Sequence, residues 1–313
     1  MPLNKNSYCL IITGPTASGK TDLSLKVSEN ISSEIINADV GQFYEKLSVG
    51  TAKIDWKNQK IPHHLFDIIK QPENLDCFNY RKMVFEKIEE ITSRKNLPII
   101  VGGSQFYLRS IFFPPHKNIK INENKDVDYS WEFLNKLDSE RAEKIDSKDT
   151  YRIQRAIDIC LSTGKQSSEL EPEFELPLNV RIIFIEQNRE QLYEKINLRT
   201  DKMIKEGGWV KEVENLKNSD WEKFLKIKKL IGYSEILDWI EKGEKNDIDI
   251  LISEIQKKTR NYAKRQITFL KKFRSDLEAK NLEQEKPFCR ITTIDKIDEI
   301  DDLVKLVKKD LKD

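Results

Sequence analysis

Residues 14–21 have the types and spacing of a phosphate-binding loop. They read Gly-Pro-Thr-Ala-Ser-Gly-Lys-Thr, and this run, here named the P-loop segment, matches the full pattern Gly-x-x-x-x-Gly-Lys-Ser/Thr between an apolar run and a predicted helix. Gly14 and Gly19 let the backbone approach a phosphate and aim its amides inward. Lys20 adds a mobile cation, and the Thr21 hydroxyl is placed to ligate magnesium. The segment predicts a ligand with a di- or triphosphate but does not specify a reaction.

Two further candidates follow predicted strands. Asp39 comes after Glu34–Ala38, and Gly102-Gly103-Ser104 comes after Leu97–Val101. In an open α/β sheet the carboxyl ends of the strands face the ligand crevice. Asp39 could therefore hold magnesium or accept a proton from a substrate, and Ser104 with its neighbouring amides could bind phosphate. From position alone, a turn or cap at Asp39 and a plain turn at Ser104 are equally good interpretations.

Metal-binding and disulfide patterns are weak in this sequence. His63 and His64 are adjacent, so on a strand they face opposite ways and do not form a metal pair. The four cysteines are scattered, with no Cys-x-x-Cys, which argues against a zinc site or a disulfide framework and for a reducing compartment: Cys9, Cys77, Cys160 and Cys289. No apolar run is long enough to span a bilayer, and the N-terminus has no signal core, so we expect a cytoplasmic protein without a membrane segment.

A basic stretch between Ile255 and Ser275 stands out in a chain with 54 basic and 53 acidic residues. It contains no acidic residue, and apolar side chains recur at helical spacing, so we expect one face to be buried and the others to present cations. A solvated basic helix is the alternative, but eight cations without an acid favour nucleic acid. These cations are Lys257, Lys258, Arg260, Lys264, Arg265, Lys271, Lys272 and Arg274, and the apolar residues are Ile255, Tyr262, Phe269 and Phe273.

Apolar runs alternate with helical patterns, which predicts an α/β fold with a parallel P-loop sheet flanked by helices. The predicted strands are Tyr8–Thr13, Glu34–Ala38, Leu97–Val101, Val180–Ile185 and Phe288–Thr293, and the predicted helices cover 19–29, 78–93, 191–205, 208–216, 253–273 and 298–309. Between Pro114 and Ser147 the pattern changes to polar residues with one amphipathic segment at 131–142. We therefore predict a transferase core at 1–113 and 148–313 and a small inserted helical domain at 114–147, with little core of its own.

Several motifs occur in order along the chain and together resemble those of bacterial-type tRNA dimethylallyltransferases (isopentenyl-tRNA transferases). They are the P-loop segment, Asn37-Ala38-Asp39 with Gln42 and Tyr44, Gly50-Thr51-Ala52-Lys53, His63-His64-Leu65-Phe66-Asp67, Gly102-Gly103-Ser104, Tyr107-Leu108-Arg109, Arg152–Ala156, Ile231-Gly232-Tyr233 and Thr259–Thr268. Val40 stands where the family usually has serine, and Gln105 where it usually has glycine. The last motif is highly specific, and its pairing with the P-loop segment identifies the chain as a member of this family.

The resemblance implies an activity. The enzyme would transfer a dimethylallyl group from its diphosphate to the exocyclic amine of the adenine 3′ of the anticodon, in tRNAs that read codons beginning with U, and release pyrophosphate. Asp39 would be the base, and Lys20, Thr21, Ser104 and Arg199 would complete the catalytic set, with Mg²⁺ held by Thr21 and pyrophosphate. The diphosphate would lie on Gly14, Pro15, Thr16, Ala17, Ser18, Gly19, Lys20 and Thr21.

The resemblance also implies a tRNA surface that includes the inserted domain. Its members would be Asp39, Val40, Gly41, Gln42, Ser104, Tyr151, Arg152, Ile153, Gln154, Arg155, Arg260, Lys264, Arg265 and Gln266. We expect the anticodon stem-loop as partner and a monomer as the working state. Three alternatives stay open: prenylation of free adenine nucleotides, a P-loop nucleotide kinase that binds ATP, and a non-catalytic RNA-binding module.

Overall fold

The computed structural model describes residues 8–115, 127–170, 172–175, 179–243, 247–283, 288–295 and 300–312. The chain forms two compact units. The larger comprises Met1–Ile111 and Leu176–Asp313, and the smaller comprises Phe112–Glu175. The sequence-based division placed 148–175 with the larger unit, whereas these residues pack within the smaller one.

A six-stranded parallel sheet organises the larger unit, as the alternation of strands and helices predicted. The strands have the spatial order β3-β2-β4-β1-β5-β6, and every neighbouring pair is parallel. Their bounds are β1 Tyr8–Thr13, β2 Ser33–Asn37, β3 His63–His64, β4 Leu97–Gly102, β5 Asn179–Ile185 and β6 Cys289–Ile294. Five of these six coincide with the predicted strands to within a residue at each end, and β3 is a two-residue edge strand. The fold class is thus the predicted one.

Helices cover the sheet. Those of the larger unit are α1 Lys20–Ser28, α2 Cys77–Ser93, α3 Gln105–Phe112 (whose last residue begins the smaller unit), α7 Arg189–Lys205, α8 Trp209–Glu214, α9 Asp220–Lys228, α10 Tyr233–Glu241, α11 Ile248–Leu282 and α12 Ile300–Asp310. Side-chain caps fix several starts: Asp76 accepts from the Asn79 amide at the start of α2, and Asn188 accepts from two amides at the start of α7. No helix in the described part of the chain is long and apolar enough to cross a membrane.

Alternate residues of the central strands face opposite sides of the sheet. One set, including Leu10 and Ile12, packs with Leu23 of α1 and Val304 of α12 in one buried cluster. The intervening residues are equally buried, and Phe184 of β5 meets Phe273 of α11. Burial on both faces explains why these strands read as continuous apolar runs.

The long helix α11 has 35 residues and is therefore about 50 Å long. It begins at Ile248 and ends at Leu282, several residues beyond the predicted 253–273 at both ends, because buried residues continue the apolar face at Leu251, Ile252 and Leu277. Against α7, the residues Leu192, Ile196 and Ala263 form a small core, and Ala17 of the P-loop segment packs onto it. Helices α7 and α11 thus support the loop from behind.

The smaller unit contains α4 Trp131–Leu137, α5 Ser139–Glu143 and α6 Thr150–Thr163. It has a core of its own, which corrects the expectation of an insertion with little core. Five buried side chains form it: Leu134, Ala142, Ile153, Ala156 and Ile157. Two of the three helices that make this core lie in the predicted insertion, and the third, α6, lies just beyond its predicted end.

Candidate active site

The P-loop segment connects β1 to α1 at the carboxyl edge of the sheet. Its backbone turns through two left-handed residues, Ala17 (φ 62°) and Gly19 (φ 86°). Gly19 is the N-cap of α1 and has no side chain to cap the first amides of that helix, so these amides are open to a ligand. The Ser18 hydroxyl is buried without a hydrogen-bond partner, and the Ser18 amide donates to the Pro15 carbonyl at 3.3 Å. The Ser18 amide is therefore already engaged within the loop.

Two cations converge on this loop. Lys20 Nζ donates to the carbonyls of Gly14 (3.1 Å) and Pro15 (2.7 Å). From helix α7, Arg199 Nη2 donates to Thr16 Oγ1 at 2.6 Å. The loop oxygens that hold both cations are uncharged, so an anionic phosphate would form stronger, charge-assisted hydrogen bonds with the same donors.

Asp39 lies directly beyond β2, as the strand pattern predicted. Its carboxylate accepts from the Gly41 amide at 3.2 Å and caps a short 3₁₀ turn, Val40–Phe43. Its own amide donates to Asn37 Oδ1 at 2.9 Å. The cap and the catalytic interpretation are therefore compatible, because the cap engages only one of the two carboxylate oxygens.

The electrostatics couple Asp39 to both cations. Desolvation raises the pKa of Asp39 above its usual value, although Lys20, the Gly41 amide and Arg199 act in the opposite direction. Desolvation lowers the pKa of Lys20 to about 8, with Asp39 opposing and Arg199 reinforcing the shift. The pKa of Arg199 is also lowered by desolvation, and Asp39 opposes this. A negatively charged ligand would therefore relieve an excess of poorly solvated positive charge.

The turn after β4 completes the crevice. Ser104 Oγ accepts from the Val40 amide at 2.8 Å, and the Ser104 amide donates to the Ala38 carbonyl at 3.2 Å. Gly103 is closely packed, since a Cβ there would lie 2.8 Å from Gln266 Nε2 and 3.1 Å from the Gly14 carbonyl. Gln105 is the first residue of α3, and its Nε2 is buried without a hydrogen-bond partner. The turn joins the β2 end to the P-loop segment.

A small cavity of about 30 Å³ lies where these elements meet. Lys20, Thr21, Asp39 and His63 are among its lining residues. His63 donates from Nδ1 to the Ile61 carbonyl (2.7 Å), which leaves Nε2 as a buried acceptor without a hydrogen-bond partner. The two histidines do face different surroundings, and His64 instead pairs with Glu34 at 2.6 Å. No cluster of three or more metal-binding side chains occurs among the described residues.

The predicted basic surface on α11 is present in part. Lys257, Lys264, Arg265, Lys271 and Lys272 are exposed. The remaining cations have internal partners: Lys258 pairs with Glu235, Arg260 donates to Asn197, and Arg274 pairs with Glu186.

Gln266 requires a correction to its predicted role at a tRNA surface. It is only 2% exposed, and its amide is engaged on both sides, accepting from the Thr16 amide at 2.8 Å and donating to the Gly103 carbonyl at 2.9 Å. Gly41 is also buried, and Gln42 donates to the Thr51 carbonyl, so these two support the loop at 48–52. Sequence reasoning missed this because Gln266 lies among exposed cations on the same helix.

In the smaller unit, helix α6 carries the other predicted tRNA residues. Tyr151 is 76% exposed, Arg152 and Gln154 are exposed, and Arg155 is partly exposed. Ile153 is the exception: it belongs to the core of this unit, and helical periodicity turns it away from its neighbours. Its predicted contact with tRNA is therefore wrong for the side chain.

Two of the motifs shared with the tRNA dimethylallyltransferases, the one that begins at Gly50 and the one that contains Gly232, pack against the Trp209 ring. A Cβ at Gly50 or Gly232 would lie 2.2 Å or 2.0 Å from the Trp209 ring. Glu212, on the same helix as Trp209, accepts from the amides of Ser48 and Val49 at 2.9 and 2.7 Å. The two motifs therefore fix the loop that follows Asp39 against helix α8. Sequence reasoning did not find Glu212, which carries no local signal.

Fold and site together define an α/β protein in which Asp39, Lys20 and Thr21 line one cavity at the carboxyl edge of a parallel sheet. The chain belongs to the IPP transferase family, whose model matches residues 42–273. The resemblance to the tRNA dimethylallyltransferases is thereby confirmed.

Relatives and solved structures agree with this assignment. The chain is 37% identical to the tRNA dimethylallyltransferase of Thermotoga petrophila, over 84% of this chain and 89% of that protein. A tRNA delta(2)-isopentenylpyrophosphate transferase from Staphylococcus epidermidis is similar in structure, with a TM-score of 0.64 and 27% identity over 97% of this chain and all of that one. A eukaryotic dimethylallyltransferase acting on tRNA has a TM-score of 0.77 at 23% identity, over 97% of this chain and 78% of that one, which shows the shared fold.

Proposed function

We propose that this protein transfers a dimethylallyl group from dimethylallyl diphosphate to the exocyclic amine of the adenine 3′ of the anticodon, in tRNAs that read codons beginning with U. Pyrophosphate is the second product. The observation that carries the proposal is the grouping of Asp39 with Lys20 and Arg199 at the P-loop segment, in a chain of the IPP transferase family.

Cleavage of the allylic C–O bond builds negative charge on the departing pyrophosphate. Lys20, Arg199 and the open amides at the start of α1 stabilise this charge. Because both cations are desolvated before the diphosphate arrives, their interaction with it is stronger than in water. Breaking this bond makes the C1 carbon electrophilic enough for attack by a weak nucleophile.

The adenine amine attacks C1 and loses a proton as the new C–N bond forms. Asp39 accepts that proton through the carboxylate oxygen that is not used for the Gly41 cap. Desolvation has already raised the pKa of Asp39, which makes it a better proton acceptor than a solvent-exposed aspartate. The adenine must leave its stack to reach the site, as base-modifying enzymes require.

Magnesium fits the residues present. Thr21 and Asp39 line the same cavity, and hydroxyl, carboxylate and diphosphate oxygens are the ligands that Mg²⁺ prefers. We propose that Thr21 holds the ion together with diphosphate oxygens. When bound, Mg²⁺ would neutralise charge on the leaving group.

For tRNA, we propose two surfaces, each described by itself. On α11 the exposed Lys264 and Arg265 contact phosphates. Val40 is partly exposed, whereas Ser104 is buried and holds the Val40 amide. On α6 the exposed Tyr151, Arg152 and Gln154 and the partly exposed Arg155 supply stacking and cations. A protein that acts on tRNA in this way belongs in the cytoplasm, and we propose that it works as a monomer.

The test is transfer by the purified protein. Dimethylallyl diphosphate, Mg²⁺ and an anticodon stem-loop with adenine 3′ of the anticodon should give prenylated adenosine, detected by mass spectrometry of the nucleosides. A stem-loop with guanine at that position should give no product. Asp39→Asn keeps the Gly41 cap and should reduce kcat by about 10²- to 10⁴-fold. Asp76→Asn, a matched helix-cap change away from the site, should not.

The open alternatives have distinct outcomes in the same assay. AMP should not replace the stem-loop, since the cationic surfaces are built for a longer phosphate backbone. If the protein instead transfers phosphate from ATP at enzymatic rates, the kinase interpretation is correct. An unchanged rate in Asp39→Asn would point to a binding module with a contaminating activity.

A further inference from the structure

Gln266 is the one buried polar side chain of α11 within a helix face that is otherwise apolar. The other buried residues on that face are Leu251, Ile252, Ile255, Ala263, Leu270, Phe273 and Leu277. A carboxamide buried among hydrocarbons costs free energy unless all its hydrogen-bonding groups find partners. Gln266 meets this condition by contacting two separate loops of the site.

The two partners belong to two loops that follow the neighbouring strands β1 and β4. The Thr16 amide in the P-loop segment donates to Gln266 Oε1 at 2.8 Å. Gln266 Nε2 donates to the Gly103 carbonyl, in the turn after β4, at 2.9 Å. One side chain therefore links the P-loop segment to the turn that carries Ser104, at a point where the backbones of the two loops also pack closely.

The same contact also fixes Arg199. Thr16 is held at its amide by Gln266 and at its hydroxyl by Arg199 Nη2, at 2.6 Å. If the Gln266 amide is removed, Thr16 loses its anchor and the hydroxyl that locates the guanidinium shifts with it. The Thr16 amide is thus committed to Gln266, and the phosphate must use the amides that follow it.

We propose that Gln266 is a positioning residue for the diphosphate end of the site and not a tRNA contact. This inference rests on the proposed function for its substrate. Gln266 lies on the same helix as the exposed Lys264 and Arg265. The exposed face of α11 therefore contacts RNA phosphates, and its buried face positions the loops that bind the diphosphate.

The proposal predicts that a substitution at Gln266 raises KM for dimethylallyl diphosphate but leaves KM for the stem-loop nearly unchanged. Gln266→Met keeps the volume and removes both hydrogen bonds, which misplaces the cradle. We expect KM for dimethylallyl diphosphate, and Kd for inorganic pyrophosphate measured by calorimetry, to rise about tenfold or more. KM for the stem-loop should stay within about twofold of the unmodified protein. Lys264→Ala should show the reverse pattern, with a raised KM for the stem-loop alone.

Loss of stability alone must be separated from loss of positioning. Leu277→Ala removes a fully buried side chain on the same helix face, away from both loops, and should lower the melting temperature without changing either KM. If Gln266→Met behaves like Leu277→Ala, Gln266 is only a core residue. If it raises KM for the stem-loop alone, Gln266 contacts tRNA. Either result overturns the proposal.

The proposed function can be refuted independently of the role proposed for Gln266. If the unmodified protein binds neither pyrophosphate nor dimethylallyl diphosphate, the proposed function is wrong, whatever the variant does. If the unmodified protein binds pyrophosphate and Gln266→Met binds it equally well, the proposed function stands and the role of Gln266 is wrong. Calorimetry with pyrophosphate decides between these outcomes without a turnover assay.

Discussion

The protonation of Lys20 gives a quantitative prediction about diphosphate binding. In the free site desolvation lowers the pKa of this lysine to about 8. A bound diphosphate favours the charged form, so binding and protonation are linked. Affinity should therefore be high below pH 8 and should fall as the pH rises through 8, because each binding event must then also protonate the lysine.

The magnitude follows from the charged fraction of the lysine. With a pKa of about 8, about nine-tenths of Lys20 is charged at pH 7 and about one-tenth at pH 9, so the affinity should fall about tenfold between these values. At pH 8, about half a proton should be taken up per diphosphate bound. The ligand adds little of its own, since a phosphate group of this kind loses its last proton near pH 6, to within about a unit.

Calorimetry in two buffers of different ionisation enthalpy measures both quantities with dimethylallyl diphosphate. Lys20→Arg, which stays charged throughout, should bind without proton uptake and without the fall in affinity above pH 8. Lys20→Met should bind weakly at every pH. A flat affinity between pH 7 and 9 in the unmodified protein would refute the link between this lysine and the ligand.

Three further predictions concern other residues. Adding Mg²⁺ should tighten pyrophosphate binding. Thr21→Val should lower the affinity for pyrophosphate more in the presence of Mg²⁺ than in its absence, and an equal loss under both conditions would exclude Thr21 as a magnesium ligand. Gly232→Ala should lower the free energy of unfolding in urea by more than about 2 kcal/mol, because φ is 86° and the new Cβ would lie 2.0 Å from the Trp209 ring. Gly164→Ala is the control: φ is 68° but no atom lies within 4 Å, so the free energy of unfolding should fall by only about 1 kcal/mol. Hydrogen bonds from Arg94 lower the pKa of Glu34 to about 2, so its stabilisation is present above pH 4.5 and is lost as the pH falls towards 2. Unfolding free energy should drop by about 1 kcal/mol per pH unit in that range, and less steeply in Glu34→Gln.

Local patterns were enough to predict the sheet and the position of Asp39 beyond one of its strands. Strands buried on both faces are continuous apolar runs, so Tyr8–Thr13 and its neighbours were visible without any alignment. Asp39 followed from the rule that parallel strands present their carboxyl ends to the ligand. The strands and the location of Asp39 could be predicted because each depends on residues close together in the chain.

Contacts between distant residues were not accessible in this way. The core of the smaller unit needs Ile153 and Ile157 of α6, which lie beyond the polar segment that marked the insertion. Glu212 meets the amide of Val49 across 163 positions of sequence. Gln266 contacts Thr16 across 250 positions. No periodicity or composition signals such a pair, so side chains assigned to a surface were found in the interior.

The partners of two poorly exposed lysines show why Lys20 is suited to a ligand. Lys53, whose side chain is 3% exposed, pairs directly with the Asp67 carboxylate at 2.5 Å, and such a pair is costly to separate because it would leave a buried charge without a partner. Lys20 instead donates to two neutral carbonyls, of Gly14 and Pro15. Neutral acceptors hold the ammonium in place but bind it less strongly than an anion does. A diphosphate can therefore replace them at little cost, which the Asp67 arrangement would prevent.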